Sequence, residues 1–487
     1  MSGAASHLYD RQGPTALVRE FMTRPERDGY PTSRRVPIIV FTGSRGCGKT
    51  ALVNELADRF TGQVPYARID CRSLTPRDPW DVLTLLVFEF NRSAAGYRRI
   101  AFSRYVTAQV AMAENLDLNN ITAARDQVQR AIERHRRVDK LRDFLATLAR
   151  RLAQALAGPG SPPGVADTAG YAPGLLLHGL ISQRWGRRVV LGEGVHWYGE
   201  QPIDELVRLN RLTRPTASQA DKREAAELLW KAFLADLRAA FGKGRGARAW
   251  SMNCPVLLDN VDSDVGETLL DGLIKARRQY AVHQQAIRQA DEPDPLTVVA
   301  TSTGEIVRQF VAQQVQIPSA EEASYDDYIE RMRADRDWYP VGLRSLTLEE
   351  VVSMVSAVGG AWGSADRRVA GSVYRLTRGH PGATAELIDA IANNTGGPAP
   401  IKNLLDTATR VPRSENPADA DKPSTTVTPL RKCGSCSGTT TAGSRCILVT
   451  RCGSNTATRS VNRNGVPGFS APFGCRRNGS ASNFAFH

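Results

Sequence analysis

Nowhere in the 487 residues does an apolar run approach the roughly 20 residues that a membrane-spanning helix needs. The opening Met1-Ser2-Gly3-Ala4-Ala5-Ser6-His7 has no basic stretch leading into an apolar one, so it does not read as a secretory leader. A cytoplasmic location with no membrane partner is the expectation. Cysteine is sparse through most of the chain. Only Cys47, Cys71 and Cys254 precede residue 430, a scatter that fits a reduced intracellular protein and excludes a disulfide framework there. Acid disappears at the other end: from Arg431 onward there is no Asp or Glu, while eight Lys and Arg remain. Removing those eight from the net charge of +13 leaves +5 for the first 430 residues. That is too little to argue for a large nucleic-acid surface on the body of the protein. Repeats of solenoid length are missing as well.

What is present is a globular composition, 41% hydrophobic and 23% charged, long enough for two or three domains. Within it stands Gly43-Ser44-Arg45-Gly46-Cys47-Gly48-Lys49-Thr50, a complete G-x-x-x-x-G-K-T pattern, the Walker A phosphate loop. Its flanks fit. Val36-Pro37-Ile38-Ile39-Val40-Phe41 is a β-branched run suited to a buried strand. After the loop, Leu52, Val53 and Leu56 share one helical face. Glycines let backbone N–H groups turn onto phosphate oxygens, and the helix N-terminus adds partial positive charge. The expected phosphate contacts run from Gly43 through Ala51. Lys49 is suited to the β and γ phosphates, and the Thr50 hydroxyl to Mg²⁺.

A second constellation follows. Val256-Leu257-Leu258-Asp259 reads as a buried strand ending in an acid, the Walker B arrangement, with Asp259 on Mg²⁺. Many hydrolysing P-loop ATPases carry Glu next; here the residue is Asn260. An amide orients a water but cannot take its proton, so hydrolysis is expected to be slow. Asp262 lies two residues on, and continued strand alternation would turn it to the face of Asn260, where it could substitute. Thr301 and Ser302 end another buried strand, Thr297 to Thr303. They read either as contacts to the γ-phosphate or water, or as ordinary strand termination.

Between these motifs, Val64 to Asp70 reads as a strand and Trp80 to Phe90 as a buried helix. Ile121 to Ala157 reads as one long helix and Asp221 to Phe241 as an amphipathic one. His196-Trp197-Tyr198 reads as a packing anchor more than as a stacking platform. Past about residue 410 apolar periodicity ends. Of Cys433, Cys436, Cys446 and Cys452 only the first pair has zinc spacing, so a disordered tail is the better reading than a zinc knuckle. A shifted reading frame after about residue 429 would also produce that composition.

The order of phosphate loop, acid-tipped strand, hydroxyl-tipped strand and Arg378-Gly379-His380-Pro381-Gly382 resembles the AAA+/STAND group of P-loop ATPases. The resemblance covers roughly 1–90 and 250–395. It implies an α/β fold: a three-layer P-loop NTPase sandwich with a parallel sheet and a small helical lid. It also implies that Pro381 packs near the adenine and that a lid arginine, Arg375 or Arg378, senses the γ-phosphate. Leu8-Tyr9-Asp10-Arg11 resembles the short upstream motif by the base, with Asp10 where the family usually has Gly. The resulting division is 1–91 and 251–340 for the ATPase domain, 92–250 for a mainly helical insertion, 341–410 for the lid and 411–487 for the tail. The expected function is a Mg²⁺- and ATP-dependent switch or assembly ATPase with a protein partner or self-assembly. The alternatives are a DNA-associated AAA+ ATPase and a non-hydrolysing nucleotide-binding scaffold. No N-K-x-D guanine-reading motif is visible, which favours ATP over GTP.

Overall fold

The computed structural model describes residues 12–27, 29–91, 94–156, 191–242, 250–287, 293–304, 306, 308, 317–332, 337–358 and 366–392. Leu8-Tyr9-Asp10-Arg11 and the cysteine-bearing stretch after 430 lie outside them. Five strands make one parallel sheet: β3 (Ile38–Thr42), β4 (Ala67–Asp70), β5 (Cys254–Asp259), β6 (Leu296–Ser302) and β7 (Trp338–Gly342), in the order β4-β5-β6-β3-β7. A short antiparallel ribbon, β1 (Glu26–Arg27) with β2 (Tyr30–Pro31), precedes it. Parallel strands need crossovers, and helices supply them. β3 runs through α2 (Lys49–Phe60) to β4 at the far edge, while β7 docks on the other side of β3.

Both faces of the sheet are covered, which explains why the strands read as unbroken apolar runs. Alternation sorts the residues. Ile38 and Val40 of β3 join Val256 and Leu258 of β5 and Val298 and Ala300 of β6 in one core. Ile39, Phe41, Leu257 and Val299 point the other way, into a core with α1 (Gln12–Met22), α2 and α11 (Tyr325–Met332). There Phe21, Tyr325, Tyr328 and Tyr339 pack edge to face or stacked, with centroids 5.3–6.1 Å apart.

The region between β4 and β5 is mainly helical: α3 (Asp81–Phe90), α4 (Ser103–Ala113), α5 (Ile121–His135), α6 (Val138–Leu156), α7 (Leu191–His196), α8 (Pro202–Leu212) and α9 (Gln219–Phe241). Its apolar residues belong to the same core as the first sheet face, so this insertion is the layer that covers that face. Asp221 and Ser218 start α9 with a reciprocal capping box. Helix α4 is held at both ends. The Asp236 carboxylate accepts from the N–H groups of Arg104 and Tyr105 at 3.2 and 2.9 Å, and Asn210 Nδ2 donates to the carbonyls of Ala111 and Glu114 at 2.8 Å.

One expectation changes, and one strand appears where none was expected. The single helix over 121–157 is broken at Arg136-Arg137 into α5 and α6. Folding back lets Val128 and Ile132 share a core with Leu141, Leu145 and Leu152, which a straight rod could not do. Strand β7 escaped the sequence reading because Trp338-Tyr339-Pro340-Val341-Gly342 looks like a turn. Proline is tolerated there because β7 is an edge with β3 as its one strand neighbour. His196-Trp197-Tyr198 does pack: Tyr198 is buried, and its hydroxyl donates to Arg104 O at 2.8 Å.

Helix α10 (Asp264–Ala286) connects β5 to β6, and after β7 come α12 (Leu348–Val358), α13 (Asp366–Thr377) and α14 (Pro381–Ala392), with their own small core around Val351, Val355, Val373 and Ile388. No helix among the described residues is long and apolar enough to cross a membrane.

Candidate functional site

Parallel α/β sheets gather ligands at the carboxyl ends of strands where the connections diverge. In this sheet that point is β3, whose chain leaves toward β4 while β7 lies on its other side. The Gly43–Thr50 loop follows β3 directly. Gly43, Gly46 and Gly48 have φ of 157°, 80° and 91°, and Gly48 is the N-cap of α2. A Cβ at Gly43 would come within 2.6 Å of Cys47 Sγ, and one at Gly46 within 2.8 Å of His380 Cε1. Glycine is needed at both.

Among the described residues the N–H groups of Gly46, Gly48, Lys49, Thr50 and Ala51 donate to no protein atom, and no side chain caps α2. A run of unspent donors at a helix start makes an anion-binding concavity. Lys49 Nζ sits within it, donating to the carbonyls of Gly43 at 2.8 Å and Ser44 at 2.9 Å, with Cys47 Sγ at 3.5 Å. Ser44, Arg45 and Thr50 are exposed, whereas Cys47 and Lys49 are buried. Helix α2 packs on β5, which brings the loop and the acid-tipped strand into one unit.

Strand register puts the acids side by side. Asp70 of β4 pairs with Asp259 of β5, Leu258 with Ala300, and Phe41 with Thr301. One row therefore crosses the sheet as Asp70, Asp259, Thr301 and Phe41. Asp259 is buried. Its Oδ1 accepts from the Thr301 hydroxyl and from the Asn260 N–H at 3.1 Å. Its Oδ2 makes no hydrogen bond among the described residues. One carboxylate and one exposed threonine hydroxyl are hard oxygen donors of the kind and number that Mg²⁺ takes from a protein when phosphates complete its shell. Among the described residues no three His, Cys, Asp or Glu side chains converge, so a metal here would depend on those phosphates.

Asn260 departs from the strand. Its φ is 56°, the left-handed region, and β5 ends at Asp259. The alternation that would bring Asp262 to its face therefore does not operate. Asp262 instead holds the end of β6. It accepts from Ser302 Oγ at 2.7 Å, from Thr303 N at 2.6 Å and from Thr303 Oγ1 at 2.8 Å. Burial pushes its pKa up, but these bonds outweigh that and hold the carboxyl below its usual range. Thr301 and Ser302 are thereby committed to Asp259 and Asp262. Nearby, burial raises the Cys71 thiol to about 12, with Asp70 and Asp259 adding to the shift.

The last three helices reach this site through Arg378-Gly379-His380-Pro381-Gly382. Arg378 and Gly379 have φ of 53° and 72°, a tight turn between α13 and α14. A Cβ at Gly379 would meet Leu346 O at 2.1 Å. Gly382 N donates to Gly46 O at 2.8 Å, and the His380 ring approaches Arg45 O with Nε2 at 3.0 Å. The Ala383 N–H points at His380 Nδ1 at 3.2 Å, so Nδ1 accepts and Nε2 donates. Pro381 opens α14 as its first residue. Arg375 and Arg378 are both exposed, and Arg375 lies 3.5 Å from Ser372 Oγ.

The sequence reading gave no role to Asp70 or His380. Asp70 was hidden because only strand register places it beside Asp259. His380 signals itself only as the middle residue of Gly-His-Pro. Compared with known proteins, the chain matches no protein-family model and no curated protein.

Proposed function

We propose that the chain is a P-loop ATPase of AAA+/STAND type, binding ATP with Mg²⁺ and working as a slow nucleotide-controlled switch or assembly ATPase. The observation that carries this reading is the Gly43–Thr50 loop. It offers five unspent N–H donors and a buried lysine at the divergence point of a parallel sheet. Phosphates bind the N–H groups of Gly46 and of Gly48 through Ala51, and Lys49 turns from its loop carbonyls to the β and γ phosphates. Thr50 and Asp259 hold Mg²⁺, which neutralises phosphate charge. Hydrolysis transfers the γ-phosphoryl group to water: the new P–O bond forms as the bond to the bridging oxygen breaks. Asn260 cannot accept the water's proton, which passes to a γ-phosphate oxygen, and this makes turnover slow.

Switching follows from the contact between His380-Pro381-Gly382 and the loop backbone. A phosphate that repositions the Arg45 and Gly46 carbonyls alters two hydrogen bonds between the phosphate loop and the last three helices. A non-hydrolysing scaffold is the second reading, favoured by the amide at 260.

The test is single-turnover ATP hydrolysis with Mg²⁺. Slow phosphate release that is lost in Lys49→Ala and quickened by about tenfold or more in Asn260→Glu supports the switch. Tight ATP binding without release in either the unmodified protein or Asn260→Glu leaves the scaffold. Absence of ATP binding sinks both.

A further inference from the structure

The amide of Asn260 is not free to choose its orientation. Its Nδ2 donates to Asp70 Oδ1 at 2.9 Å, and a carboxylate can only accept, so the nitrogen must face β4. Asp70 Oδ1 is itself steadied by the Arg72 N–H at 3.1 Å. The backbone of Asn260 is pinned as well, its N–H shared between Asp259 Oδ1 and Thr301 Oγ1 at 3.1 Å each, with φ at 56°. With nitrogen and backbone both fixed, Asn260 Oδ1 is left as an acceptor that makes no hydrogen bond among the described residues. Asn260 directly follows Asp259 at the carboxyl end of β5, the same end of the sheet at which the phosphate loop leaves β3.

Asp70 cannot do the work of a general base itself. Three strand spacings separate β4 from β3 in this sheet, about 14 Å, against about 10 Å for Asp259. The tip of β5, which carries Asp259 and Asn260, stands one strand nearer to the phosphate loop than Asp70 does.

Building on the ATPase reading above, we propose that Asp70 is the positioning residue of the water site. It locks the Asn260 amide so that Oδ1 accepts a hydrogen bond from the water that attacks the γ-phosphorus. The pair divides between two side chains what one carboxylate would do alone. Asp70 supplies charge and orientation, and Asn260 supplies the acceptor. The water's proton still leaves to a γ-phosphate oxygen, ADP departs with the bridging oxygen, and neither side chain changes its protonation.

The experiment compares Asp70→Ala, Asn260→Ala, the double alanine variant and the exchange Asp70→Asn/Asn260→Asp, in the full chain. Binding of a fluorescent ATP analogue and steady-state turnover with Mg²⁺ are both read. Asp70→Ala is expected to lower kcat by about tenfold to a hundredfold, the scale of a misplaced reacting group. KM and analogue binding should stay within about twofold, because Asp70 lies outside phosphate reach. Asn260→Ala should lose as much, and the double variant no more than either, since both remove one unit. The exchange rebuilds the hydrogen bond with donor and acceptor reversed and moves the carboxylate one strand inward. It should turn over at least as fast as the unmodified chain, which a merely structural role for Asp70 would not produce.

Unchanged kcat in Asp70→Ala, additive losses, or an exchange variant no better than Asp70→Ala overturns the proposal. Analogue binding without turnover in both the unmodified and the exchanged protein overturns the water role and leaves the nucleotide site standing. Loss of analogue binding by the unmodified chain removes the ATPase reading itself.

Discussion

The two ends of the parallel sheet handle their acids in opposite ways. At the amino end, Asp294 is gripped by guanidinium groups: Arg277 reaches both its oxygens at 2.7 and 2.9 Å, and Arg238 lies at 3.8 Å. Asp337 is met by Arg278 at 2.7 Å and Arg35 at 3.5 Å. At the carboxyl end, Asp70, Asp259 and Asp262 are satisfied by hydroxyls, backbone N–H groups and one amide. None of the three carries an ion pair among the described residues. Among the described residues no Lys or Arg pairs with them, and Lys49 is turned to its own loop. A neutralised end fixes the strands. An end whose acids lack counter-charges, with unspent loop N–H donors at the same edge, is the arrangement that the proposed joint binding of Mg²⁺ and ATP would use.

Alanine at each end separates the two designs. Asp294→Ala leaves Arg277 buried without its carboxylate, and the expected loss is about 3–5 kcal/mol in urea unfolding. Arg277 also donates to Val36 O and Leu296 O, so the damage should spread to β6 and the start of β3. Asp259→Ala removes an acid that has no counter-charge. Its stability should move by no more than about 1–2 kcal/mol, the scale of the hydrogen bonds it strands. Magnesium-dependent ATP binding should collapse. Equal stability losses at the two ends would break the contrast.

A third buried acid sharpens it with pH. Asp236 in α9 has one guanidinium partner, Arg104 at 3.0 Å, besides its backbone donors. Burial dominates and raises its pKa to about 6 despite those partners. Burial also pushes Asp294 upward, but the bidentate Arg277 and then Arg238 outweigh it and leave that carboxyl below its usual range. The signs are opposite. Asp236 binds its proton more tightly when folded, so its contribution to stability is fully present below pH about 3.8 and is lost as pH rises through about 6. Asp294 contributes above about 3.8, and that contribution is lost as pH falls through its depressed folded value. Unfolding curves at pH 5 and 7 should show the unmodified protein gaining on Asp236→Asn as pH drops. Between those two pH values the gain should be on the order of 1 kcal/mol. No such gain, or one of opposite sign, would mean that Arg104 neutralises Asp236 as fully as Arg277 neutralises Asp294.

The contrast also marks what the sequence could disclose. Local signals were legible: the strand–glycine–helix pattern at 38–56, the acid tip at Asp259, the helices over 81–90 and 219–241. Each is written in a run of neighbouring residues with one periodicity. The partnerships were not. Asp70 meets Asn260 across 190 positions, and Asp294, just before β6, meets Arg277 on the helix that leads into that strand. Pairing of that kind follows from strand order and register. Asn260 shows the same limit at one residue, because strand alternation reads Asp262 onto its face whereas a left-handed turn at 260 sends Asp262 to β6.

The smallest expected effect lies where the last helices touch the phosphate loop. His380 has two duties: Nδ1 caps α14 by accepting from Ala383, and Nε2 donates to Arg45 O. His380→Ala loses both, and removal of a cap costs about 1 kcal/mol, drawn from the small core around Val351, Val373 and Ile388. His380→Asn keeps an acceptor at the cap but is too short to reach Arg45. It should stay within about 0.5 kcal/mol of the unmodified protein, as helix caps of similar strength exchange with little loss. The two variants thus differ in stability but share the loss of the link to the loop. ATP-dependent protection of α14 amides from hydrogen exchange should weaken in both. Weakening in His380→Ala alone would show that the helix cap, and not the hydrogen bond to the loop, carries the signal, and the carboxyl end would then owe its coupling to Gly382 and Gly46.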